Sequence, residues 1–151
     1  DHFAASIIYH GILLPAAPIS PDTTIWTIYQ IYEVMRFIGR IAFPIFCFLL
    51  VEGFLYTSNK RKYAVRLFLF ALVSEFPFDL AIFDTFITWE YQNVYFTLCI
   101  GLLTIWLMDI VKSNSIAIPL QMVIVFAGCL LAYALHTDYD YKGILLIAIL
   151  C

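Results

Sequence analysis

The chain opens with a carboxylate beside a histidine, Asp1-His2, and carries Arg36 and Arg40 four residues apart. Histidine titrates near neutral pH and suits proton transfer, while two arginines on one helix face suit pairing with carboxylates of a neighbouring segment. Glu75 and Asp79 repeat the four-residue spacing, so each pair shares one face of a helix, and Glu33 joins the arginine face from the preceding turn. Glu52, next to Gly53, is a carboxylate within an apolar run. Asn93 and Thr97, again four apart, either orient a substrate or cap and pack a helix. His10 lies eight residues after His2, nearly on the same face but closer to the end of its segment. Lys60, Arg61 and Lys62 form a cation cluster that attracts phosphates or simply marks topology. Thr137-Asp138-Tyr139-Asp140-Tyr141 reads as a turn whose carboxylates meet a polar acceptor or water. Cys47, Cys99, Cys129 and Cys151 stand singly, with no C-x-x-C and no histidine at ligand spacing, so they read as buried thiols and no metal is expected.

These residues sit in an unusually apolar chain. Of its 151 residues, 64% are hydrophobic and only 13% charged, with a mean hydropathy of +0.93. A soluble domain is about half apolar and a quarter charged. A small globule cannot hide that excess, so a lipid bilayer must cover it. Ten Tyr and three Trp suit anchoring at the headgroup level. The net charge of −3, with no basic arm, removes nucleic acid as a partner. The chain starts at Asp1 without Met, lacks a signal-peptide pattern and ends in an apolar run. It reads as one transmembrane domain, residues 1–151, cut within helices at both ends.

Apolar segments at 2–14, 31–56, 64–83, 94–111, 116–135 and 143–151 predict an all-α polytopic bundle of about six helices. Short polar connections separate them, apart from a longer Pro-rich loop at 15–27. Cations fall at 58–63 and 112–115, whereas the alternate loops carry Asp22, Asp84, Glu90, Asp138 and Asp140. The positive-inside rule places the basic loops in the cytoplasm of a multi-pass inner-membrane protein. A charge at mid-bilayer is expensive, so Arg36, Arg40, Glu75 and Asp79 are expected to line a cavity or clamp helices together. Pro44 frees the Arg40 carbonyl, and Pro77 sits between Glu75 and Asp79, so kinks beside ionisable groups are expected on two segments.

Several blocks fall in an order similar to that of the TraX family. They are Asp1-His2, Gly39-Arg40-Ile41-Ala42-Phe43-Pro44-Ile45-Phe46, Val51-Glu52-Gly53, Tyr63-Ala64-Val65-Arg66-Leu67, Ser74-Glu75-Phe76-Pro77-Phe78-Asp79, Asn93-Val94-Tyr95-Phe96-Thr97-Leu98 and Thr137-Asp138-Tyr139. One departure is Asp140, where the family pattern leads to an expectation of glycine. The resemblance implies an acetyltransferase that takes acetyl-CoA from the cytosol and delivers acetyl to an amine or hydroxyl at the outer face. The acceptor would be a protein N-terminus such as that of pilin, or a glycan. In that implied scheme His2 is the general base, Asp1 orients it, and Arg40 stabilises charge on the carbonyl oxygen. Arg36, Glu52, Glu75, Asp79, Asn93 and Asp138 hold substrates, while Arg66, Lys60 and Arg61 hold the coenzyme. Without the resemblance, a small transporter or channel, or a structural membrane subunit, uses the same buried charges.

Overall fold

The computed structural model describes residues 8, 12, 13, 15, 24–83 and 92–151, with the side chains of 76 and 79–83 excepted. Five helices follow one another: α1 (Thr24–Tyr56), α2 (Lys60–Phe83), α3 (Val94–Val111), α4 (Ala117–Ala134) and α5 (Asp140–Leu150). The described residues are all-helical apart from their turns, and α1, α3 and α4 are long and apolar enough to cross a membrane. It is a membrane protein. The expected count of about six becomes five among the described residues, because most of the 2–14 segment lies outside them.

Local chemistry explains where the helices differ from expectation. α1 begins seven residues before the expected 31, since no proline interrupts the chain between Pro21 and Pro44. Its first turns carry a ladder of Trp26, Tyr29 and Tyr32, with successive ring centroids 5.5 and 6.2 Å apart. α2 begins at Lys60 rather than 64 because Asn59 caps it: its side-chain oxygen accepts from the Lys62 N–H at 2.9 Å. The basic cluster expected in a loop therefore forms the first turn of a helix. α5 begins at Asp140, three residues before the expected 143, and both α1 and α2 run on through Pro44 and Pro77.

Neighbouring helices approach closely where small residues allow it, as expected where lipid removes the hydrophobic drive between them. α3 and α5 lie parallel. Gly143 of α5 meets Thr97, and Gly101 of α3 meets Ile147, so the same register holds along the seam. Gly128 lays α4 against Thr104 of α3 and Ile144 of α5. α1 joins through Phe43, Cys47, Leu50, Val51 and Phe54, packed with Leu98, Leu102, Ile105 and Ile147. Residues 24–42 of α1 precede that core and run for about 28 Å. α2 and α3 are antiparallel and pinned at both ends. Lys60 pairs with Asp109 at one end, and Glu75 meets Asn93 at the other.

Candidate functional site

Asn93 organises the end of the bundle where α3 and α5 begin. It is only 2% exposed. Its side-chain oxygen accepts from the Tyr95 N–H at 2.9 Å and caps α3. Its amide nitrogen donates to the Ala71 carbonyl at 3.0 Å and to the Glu75 carboxylate, and its backbone N–H also donates to that carboxylate, at 3.3 Å. A half-buried carboxylate held by such donors keeps a fixed direction.

The chain leading into α3 then ties down the chain leading into α5. The Gln92 N–H donates to the His136 carbonyl at 3.1 Å, and the Asp138 N–H donates to Gln92 at 3.0 Å, forming an isolated parallel bridge. Thr137 is fully buried, and its N–H donates to the Ala132 carbonyl. This tight turn holds His136 and Asp140 at φ 49° and 44°. It delivers Tyr139 flat onto Phe43 of α1, with ring centroids 3.5 Å apart and planes 4° from parallel. Gly143 makes room for that stack, since a Cβ there would meet Thr97, Phe43 and Tyr139 together.

Phe43 carries Arg40 and Arg36 three and seven residues before it on one face of α1, so the stacked Tyr139 lies toward the arginine side. Burial pushes its phenol above its ordinary pKa and Asp138 adds to the rise, while Arg40 and Arg36 pull the other way. At neutral pH it therefore keeps its proton and can donate a hydrogen bond. Arg36 is half-buried; Arg40 is exposed and makes no ion pair among the described residues. A guanidinium in an apolar helix is costly to hold.

The remaining residues singled out from the sequence divide by position. Asp1, His2 and His10 lie outside the described residues, as does the Asp79 side chain. Glu75 and Asn93 meet directly, whereas Arg36, Arg40 and Asp138 lie at the same end, on the segments that carry Phe43 and Tyr139. Glu52 is near the opposite end of α1, half-buried, without a hydrogen bond among the described residues. The three coenzyme candidates separate. Lys60 pairs with Asp109 and lies 4.3 Å over the Phe54 ring. Arg66 neighbours Tyr63, which packs on Gly53 beside Glu52. Arg61 points about 140° away from Arg66 around α2. Among the described residues no cluster of His, Cys, Asp and Glu is arranged to hold a metal.

Sequence reasoning passed over Asp109 and gave Tyr139 no role of its own. Asp109 carried a signal, since it is a lone acid inside the last turn of α3, level with the basic start of α2. Tyr139 carried none beyond its place in the Thr137-Asp138-Tyr139 block, because its partner Phe43 lies far away in sequence.

Known proteins bear on this arrangement. A relative, the probable fimbrial assembly protein FimC of serogroup H1 from Dichelobacter nodosus, is 32% identical over 127 residues, which cover 79% of this chain and 49% of that protein. The chain thus spans about half the length of the curated relative it matches. No solved structure matches. The family described as TraX protein matches residues 4–151, and the chain belongs to that TraX family.

Proposed function

We propose that this chain is the membrane core of an acetyltransferase that moves acetyl from acetyl-CoA to an amine or hydroxyl acceptor. The observation that supports it best is the Tyr139 ring stacked on Phe43, on the α1 face that Arg40 and Arg36 share three and seven residues earlier, within a TraX-family chain. The fimbrial-assembly name of the relative favours a pilin N-terminus as acceptor; a glycan is the other candidate. The Lys60 end faces the cytoplasm of the inner membrane in this reading, because its cations follow the positive-inside rule.

Acetyl-CoA supplies the activated acetyl group. Exposed Arg66 and Lys62, without ion pairs among the described residues, suit its phosphates, and Glu52 borders the same side. Arg40 lies one bundle end away, about 18 Å along α1 from Glu52. There its guanidinium faces the carbonyl oxygen that gains negative charge, and the Tyr139 hydroxyl adds a donor. Glu75, locked by Asn93, and Asp138 position the acceptor. His2 removes the acceptor's proton, with Asp1 orienting the imidazole.

The test is thermal stability of the detergent-solubilised full-length protein with acetyl-CoA, CoA and a nucleotide control. Acetyl-CoA and CoA are expected to raise the melting temperature while the nucleotide does not. A folded protein unmoved by saturating acetyl-CoA would turn the interpretation toward a transporter or a structural subunit.

A further inference from the structure

Between α2 and α3 lies an apolar crevice of about 220 Å³, walled by Ala64, Val65 and Phe68 on one helix and Cys99, Leu102 and Leu103 on the other. Val65, Phe68 and Leu103 are each about half exposed, at 51%, 49% and 47%, so the crevice opens sideways. For a membrane bundle, sideways means toward hydrocarbon.

Arg61 precedes Val65 by four residues and Phe68 by seven, which puts it on the crevice face of α2, one turn beyond the walls. With Lys60 opposite Asp109 and Glu75 opposite Asn93, Arg61 falls near the level of Leu107, just past Leu103. On α3, Trp106 follows Leu102 by four and Leu103 by three, so its indole flanks the same opening. Arg61 is exposed, and neither Arg61 nor the Trp106 indole has a hydrogen-bond or ion-pair partner among the described residues. Lys60 next door is neutralised by Asp109, which also fixes the spacing of the two helices at this opening. Arg61 is therefore the cation left available there.

We propose that this crevice binds an anionic glycerophospholipid, with an acyl chain between Val65, Phe68 and Leu103 and the headgroup phosphate on Arg61. The Trp106 N–H donates to a phosphate or ester oxygen at the interface. An apolar groove alone accepts the chain of any lipid, and a lone exposed cation holds a headgroup only briefly. The two at one opening select for negative charge. This site is separate from the acyl-transfer reading and does not depend on it.

The experiment is native mass spectrometry of the full-length protein, titrated with equal amounts of phosphatidylglycerol and phosphatidylcholine. The wild type is expected to retain phosphatidylglycerol about fivefold over phosphatidylcholine, the effect of roughly one well-placed cation. Arg61→Gln brings that ratio close to unity without shifting the melting temperature, since Arg61 has no partner among the described residues. Lys112→Gln, a cation on the far face of α3, leaves the ratio unchanged. Val65→Trp, which fills the crevice, lowers retention of both lipids. A wild type without preference, a preference that survives Arg61→Gln, an equal loss in Lys112→Gln, or undiminished binding by Val65→Trp would each overturn the proposal.

Discussion

Asn93 performs two jobs that one substitution separates. As a helix cap it needs only a side-chain acceptor, which aspartate supplies as well as asparagine. As a clamp it needs the amide N–H that reaches Glu75 and the Ala71 carbonyl. Capping alone predicts that Asn93→Asp is harmless; the clamp predicts that it is at least as damaging as Asn93→Ala, because a second carboxylate then faces Glu75. We expect both to cost about 2–4 kcal/mol, read as a lowered melting temperature in detergent. Asp140 offers the opposite sign. Its φ of 44° lies in the left-handed region that glycine adopts freely, so Asp140→Gly is expected to stabilise by about 1 kcal/mol. The family pattern already pointed to glycine there, and the turn supplies the physical reason. Asn93 was legible in the sequence as a cap or substrate ligand, yet its partner Glu75 was not, because a separation of 18 positions conceals an antiparallel contact.

Among the elements, the bounds of α3 were legible: Asn93 and Lys112 bracket a largely apolar run, and the helix spans the expected 94–111. The starts of α1, α2 and α5 were not, because polar or aromatic first turns interrupt the apolar pattern that marks a segment. Asn59 was the readable signal for α2. Seam register was also hidden, since it depends on which glycine faces which side chain. Two glycines on the α3–α5 seam now make a differential prediction. A methyl at Gly101 overlaps one side chain, Ile147, chiefly its terminal Cδ1, with Cγ1 and Cγ2 each 3.3 Å away, so turning the Cδ1 aside relieves most of the clash. A methyl at Gly143 meets the branched Thr97, the Phe43 ring and the Tyr139 Cβ at once. Gly143→Ala should therefore lower stability by about 1–3 kcal/mol and disturb the Tyr139 stack, while Gly101→Ala costs distinctly less. Equal melting temperatures for the two variants would refute this account of the seam.

Across the whole molecule, the proposed chemistry is divided between two ends. Arg66 stands at the Lys60 end beside Tyr63 and the Gly53 turn of α1, and Arg40 stands near the Asn93 end. A transporter needs no such division of labour, but a transferase does, because coenzyme binding and charge stabilisation during transfer are different events. Arg66→Gln should raise the acetyl-CoA concentration needed for half-maximal stabilisation by roughly tenfold, the loss of one charge-assisted contact. Arg40→Ala should leave that concentration nearly unchanged and lower the turnover rate by about 100- to 1000-fold, as loss of an oxyanion donor does. Neither side chain has an ion-pair partner among the described residues, so neither change should unfold the bundle. Thermal titration reads the first effect and acetyl transfer under saturating acetyl-CoA reads the second. If both variants shift the same quantity, the two ends do not act separately and the assignment of Arg40 to the reacting carbonyl fails.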